Sequence, residues 1–321
     1  MTSGTVPAAQ SQGRLATRLL IEMRLTSLVR TVDVVRKLAG GSFVFDRGIF
    51  FLAVLRASSQ TLAGWPTAPA GEVASDGGIS INALSHSMRR PFETVRRHVN
   101  ALIKAGLCDR TANGVVVSPR LRDDPDVATL MVHLHDSMVW VTGEFRNYGL
   151  PLPRPAAGAP YRPEITLTVS IDLALAAFEN VGVYVTDWLE LAVVAAVLMA
   201  SARPITLDPE LARRYADLET PPPADRRVPV STAAISRALD IPYSTVRRQV
   251  MAAVAAGSLV EHGGGVIISD QLIGGPVAMA VGAAAVNRTA ALLGRMVPGG
   301  FPFDDPASAY IVGPPALADF D

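Results

Sequence analysis

The feature that most constrains this chain is an internal duplication. PFETVRRHVNALIKAGLCDRTANGVVVS at residues 91–118 returns without a gap as PYSTVRRQVMAAVAAGSLVEHGGGVIIS at 242–269. Pro91, Thr94, Val95, Arg96, Arg97, Val99, Gly106, Gly114 and Ser118 stand opposite Pro242, Thr245, Val246, Arg247, Arg248, Val250, Gly257, Gly265 and Ser269. Self-similarity at one constant offset marks a repeated structural unit, and two copies this long point to paired domains rather than a solenoid. Whatever the first copy folds into, the second must fold into as well.

In the first copy Val95, Val99, Leu102 and Ile103 recur at helical spacing, and Gly106 stands where a left-handed cap ends the helix. Upstream, Ile81, Leu84 and Met88 predict a shorter helix. Arg90-Pro91 separates the two, because a residue before proline is pushed out of the α region. After Gly106 a polar loop with Asn113-Gly114 leads into Val115, Val116 and Val117, which reads as a hairpin. Helix, turn, helix and hairpin make a winged helix.

With TVRR opening the second helix and AG closing it in both copies, the pattern resembles the winged helix-turn-helix domains of bacterial transcription regulators of the MarR and GntR kinds. The resemblance covers residues 79–119 and 230–270. It implies a DNA-binding transcriptional regulator whose recognition helices, 92–105 and 243–256, enter the major groove of double-stranded DNA. Outer helices build the dimer in regulators similar to MarR, so in a fused duplicate they would build a pseudo-dimer within one chain, its two readers facing half-sites about one helical turn apart. The expected fold is mainly α with small β-wings: two winged helix-turn-helix units, each flanked by long helices and related by a pseudo-two-fold axis.

The rest of the chain fits around the units. Residues 1–13 read as a mobile polar tail, and 14–150 as the first repeat, with helices at 14–38, 46–62 and one that starts around Asp123, Asp124 and Asp126 and runs to about Arg146. PLPRPAAGAPYRP at 151–163 is too rich in proline for a helix and reads as a linker. The second repeat, 164–297, carries helices at 164–181, 186–201 and 271–296 and an insertion at 203–229. Residues 298–321, with Asp304, Asp305, Asp319 and Asp321, read as an acidic tail.

Lys plus Arg and Asp plus Glu both number 29, so the net charge is zero. A DNA-binding protein draws most of its non-specific affinity from cations on phosphate, and here the halves differ. Residues 1–150 hold 17 basic against 12 acidic side chains, and 151–321 the reverse. The apolar stretch Trp188–Ala200 is shorter than a membrane span and contains Glu190, so it reads as a buried helix. One cysteine, Cys108, precludes an internal disulfide, reads as a small core residue and fits a reducing cytoplasm.

Turning Val95, Val99 and Leu102 inward turns Glu93, Arg96, Arg97, Asn100 and Lys104 outward; with Thr94 they form a face suited to a major groove, where Arg pairs with guanine and Asn with adenine. Arg110 and Arg120 at the first hairpin are expected on phosphate. The second copy keeps Ser244, Thr245, Arg247 and Arg248, but Met251, Ala255, Glu261 and Gln271 replace Asn100, Lys104, Arg110 and Arg120, so the first copy should dominate. No enzyme site emerges. His133 and His135, two residues apart on a helix, point about 200° apart and cannot share a metal, and Gly263-Gly264-Gly265 lies in a turn that leads into no helix. No cofactor is expected. A small-molecule effector beside the aromatic residues Trp140, Phe145, Tyr148, Tyr184 and Trp188, and a homodimer, are further partners this reading allows. The rival reading is a non-enzymatic protein-interaction scaffold of degenerate winged helices.

Overall fold

The computed structural model describes residues 12–41, 45–58, 65–66, 77–156, 158–181 and 187–320. Residues 1–11 of the expected tail, and Tyr184, lie outside them.

The first half comprises α1 (Gly13–Leu38), α2 (Phe45–Ala57), α3 (Ile81–Ser87), α4 (Phe92–Lys104), β1 (Cys108–Thr111), β2 (Gly114–Val117) and α5 (Pro125–Asn147). The second comprises α6 (Pro163–Val181), α7 (Trp188–Leu207), α8 (Pro209–Arg214), α9 (Thr232–Leu239), α10 (Tyr243–Ala255), β3 (Leu259–His262), β4 (Gly265–Ile268), α11 (Asp270–Gly274) and α12 (Pro276–Gly294). The chain is thus mainly helical, with two small antiparallel sheets of two strands each.

The repeated segments are built by the same local chemistry. Ser80 and Ser231 each cap a helix by accepting from the backbone N–H three residues on, both at 3.0 Å. The Ser85 and Ser236 hydroxyls each donate to a carbonyl five residues on, Arg90 and Ile241, both at 2.6 Å. The turns between the paired helices place Arg89 and Asp240 in the left-handed region, at φ 50° and 51°. Gly106 and Gly257 close α4 and α10 at φ 71° and 76°, where any larger residue is strained. The hairpins pair in matching register, Cys108 with Val117 and Leu259 with Ile268. Ile79 and Val230 add a bridge to Val115 and Val266. That bridge passes so close that a Cβ on Gly114 or Gly265 would lie 2.6 Å from backbone atoms of Ile79 or Val230.

Packing interlocks the halves. Helix α4 and strand β2 pack on α2, as α10 and β4 pack on α7, while α1 touches α2, α5, α6, α7 and α12. One core runs across both halves and includes Phe50, Val95, Leu102, Trp188, Val197, Ile235 and Val246. Arg18 of α1 donates to the Tyr215 carbonyl at 2.8 Å, and Arg14 to the Asp217 carbonyl at 3.1 Å. Both guanidiniums are thereby fastened to the segment inserted ahead of α9.

Several segments differ from the expected layout. The proline-rich stretch is pinned: the Arg162 N–H donates to the Gly299 carbonyl at 2.8 Å, and the Tyr161 ring meets Phe301 edge-on at 5.9 Å. The terminal segment folds back instead of trailing, with Phe301 and Phe303 buried. Three consecutive N–H groups, from Ile311 to Gly313, donate to the Asp136 carboxylate at 3.0 to 3.1 Å. These bonds, with one from His135, hold the Asp136 carboxyl below the usual carboxylate range although burial pushes it up. The helix expected over 271–296 breaks at Gly275, whose extended backbone (ψ 158°) suits a residue before proline.

Helix α7 runs on past Pro204 to Leu207, so the apolar stretch is longer than Trp188–Ala200 and shortness does not exclude a membrane span. Trp188–Leu207 (20 residues, mean hydropathy 1.6) and Pro276–Gly299 (24 residues, 1.4) are both long and apolar enough to cross one. The packing of α7 is that of a core helix on one side, where Trp188, Ala192, Val193, Ala196 and Val197 are buried. On the other side Leu191, Val194, Ala195 and Leu198 border a cleft.

Candidate nucleic-acid interface

Helix α4 buries Val95, Val99 and Leu102 completely, which fixes its rotation. Glu93, Arg96, Arg97 and Lys104 are exposed in consequence, with Thr94 and Asn100 half-buried. Glu93, Thr94, Arg96, Arg97 and Asn100 together line one open depression on the helix surface. The Arg96 guanidinium donates twice to Glu93 Oε2, at 2.9 and 2.7 Å. An exposed pair of this kind is weak and screened by salt, so a stronger anion can replace it. Arg110 reaches from β1 to donate to Asn100 Oδ1 at 2.7 Å, tying hairpin to helix and leaving the amide nitrogen as the donor of Asn100. Lys104, on the last turn, favours the negative end of the helix dipole.

Arg120 lies outside this depression. Its Nε and Nη2 both donate to the Gly106 carbonyl, Nε at 2.9 Å, so it holds the turn that follows α4.

Helix α10 buries Val246, Val250 and Ala253 and exposes Ser244, Arg247 and Arg248, with Thr245 half-buried. Beside these cations lie Tyr243, 53% exposed, Met251, 52%, and Val260 of β3, 45%. The second face therefore mixes two arginines with apolar surface, where the first carries Asn100, Lys104 and Arg110. Phe92 and Tyr243, both exposed, open the two helices at matching positions. Their place just after a proline, outside the inward stripe, was the available sequence signal.

The two units also share a buried polar position. His98 and Gln249 occupy matching positions, buried on the inner faces of α4 and α10. The His98 ring stacks on Phe50 at 5.3 Å, while Gln249 Nε2 donates to Asp187 Oδ2 at 2.8 Å. Burial, then the charges of Arg97, Arg47 and Arg90, push His98 down to about 4. The Asp46 carboxylate, 3.9 Å from its Nε2, is too distant for a hydrogen bond and does not offset three guanidiniums.

A base with a depressed folded pKa stabilises the fold above its ordinary value of 6.5 and loses that contribution as pH falls through the window to about 4. Stability should therefore drop by roughly 2–3 kcal/mol across that window. Protonation of Asp46, itself raised by burial and by Asp187, returns part of the loss. His98→Gln, which copies the second unit, should flatten the dependence. Urea unfolding at both ends of the window checks this, and an unchanged slope in the variant would assign the acid sensitivity elsewhere.

The Cys108 thiol is buried and pushed up to about 12 by that burial and by Asp109, so it is inert at neutral pH. Among the described residues no group of three or more His, Cys, Asp or Glu side chains is placed to hold a metal ion. Comparisons with family models, curated proteins and solved structures return no match.

Proposed function

We propose that the chain is a sequence-specific double-stranded DNA-binding transcriptional regulator whose repeated segments are two winged helix-turn-helix units, with α4 and α10 as recognition helices and the first unit dominant. The observation that carries this reading is the open depression of Glu93, Thr94, Arg96, Arg97 and Asn100 on the exposed side of α4. Arginine forks suit guanine edges and phosphates, and the Asn100 amide suits adenine. The shared caps, turns and hairpin register favour one duplicated unit over two unrelated ones.

A second reading, a protein-interaction scaffold, draws on the apolar face of the second unit, where Tyr243, Met251 and Val260 are exposed. A salt titration separates the two. The purified protein is offered labelled genomic duplexes at low and at physiological salt. Phosphate contact predicts affinity falling by a factor of roughly 10 or more, with log K linear in log salt. Failure to bind any fragment at low salt would reject DNA recognition and leave the scaffold.

A further inference from the structure

The geometry points to the cleft between α1, α6, α7 and α12 as a binding site for an apolar molecule bearing one carboxylate. The cleft encloses about 270 Å³, and its walls are carbon: Leu25 and Leu28 from α1, Phe178 from α6, Leu191 and Leu198 from α7 and Val281 from α12. Sites of this size and lining, with few polar groups, are typical of small organic ligands.

Arg24, on α1, supplies the polar feature. Its Nε donates to the Leu173 carbonyl at 2.9 Å, whereas its Nη2 is shut off from solvent without an acceptor. A buried donor left unsatisfied costs about 1–3 kcal/mol, and more when charged. The guanidinium keeps its charge at neutral pH, since burial and then the like charge of Arg288 lower it only to about 10. Glu190 is the other charged residue of the lining, but the neighbouring charge that acts on Arg24 is that of Arg288. A ligand that brings negative charge beside this guanidinium and carbon to the walls would complete such a site. A second copy of the chain pressing its α12 into the cleft would bring Arg288, the one charged residue of that helix, and so add a like charge.

The test needs no DNA and is independent of the proposed regulatory role. Decanoate and its neutral analogue 1-decanol are titrated calorimetrically into the full chain and into Arg24→Met, with sedimentation to fix the oligomeric state. Saturable decanoate binding, weaker by tenfold or more in Arg24→Met while decanol changes less than about twofold, is the expected result. The inference is overturned by no saturable decanoate binding up to about 1 mM, by equal decanoate affinity in the two proteins, by equal binding of acid and alcohol, or by a stable dimer that excludes decanoate. Should Arg24→Met lose its helical circular dichroism, Val194→Phe, which fills the cleft from α7, takes its place. Decanoate affinity retained in that variant overturns the inference too.

Discussion

Replacing Arg96 and Arg97 together by alanine is expected to weaken duplex binding by about ten- to a hundredfold, whereas replacing Arg247 and Arg248 should weaken it several-fold less. The first pair lies in the depression with Thr94 and Asn100, so on the proposed reading its loss would remove a base contact, worth about 1–3 kcal/mol, and at least one phosphate contact. The second pair has Met251, Ala255 and Glu261 where the first has Asn100, Lys104 and Arg110, so less surrounding surface is available to hold a polyanion. Both double variants should keep their helical circular dichroism, because all four arginines are exposed. Measured at two salt concentrations, the first should also show a salt slope shallower by about one. Equal losses would mean that the two units contact DNA alike, and a greater loss for the second pair would reverse the assignment.

The repeated units were legible because their signals are local. Pro91 and Gly106 punctuate α4, its apolar spacing sets the buried face, and Asn113-Gly114 sets the hairpin turn. The interlocking of the halves was not legible, because Arg14 and Arg18 bond backbone carbonyls, which have no sequence signature, and Asp136 bonds three N–H groups nearly two hundred residues away. The break at Gly275 was readable from Gly275-Pro276 but was hidden by the apolar residues on either side. His98 was within reach: it stands three residues from Val95 and four from Leu102, on the buried face, and its counterpart Gln249 is also polar. A polar residue kept twice on an inward stripe signals a buried contact, here His98 with the Phe50 ring and Gln249 with Asp187. At the candidate interface the sequence could place Arg96, Arg97 and Asn100 outward, since helical geometry alone decides that. It could not place Arg120, whose long side chain turns back to Gly106.

Trp188→Ala should cost about 3–5 kcal/mol, the range for deleting a large buried aromatic. The ring is 1% exposed, lies 5.2 Å from Phe50 of the first half and 5.4 Å from Phe178, and the Arg90 guanidinium carbon stands 4.1 Å over its face. Every one of those partners but Phe178 belongs to the first half, so the cavity opens where α7 meets α2 and the turn before α4. Domains are stable by only about 5–15 kcal/mol, so a loss of this size should appear as a large drop in the urea midpoint. If the ring couples the halves, it should also split one unfolding transition into two. Trp188→Phe keeps most of the apolar volume and should recover a single transition while losing part of the cation–π contact, worth about 0.5–2 kcal/mol. A loss below about 1 kcal/mol with one transition intact would show that the interlocked helices hold the halves together without it. The same variant bears on the proposed function. A reader with two units discriminates half-site spacing only if their separation is fixed, so a loosened junction should broaden the spacings tolerated while leaving contacts within each half-site unchanged.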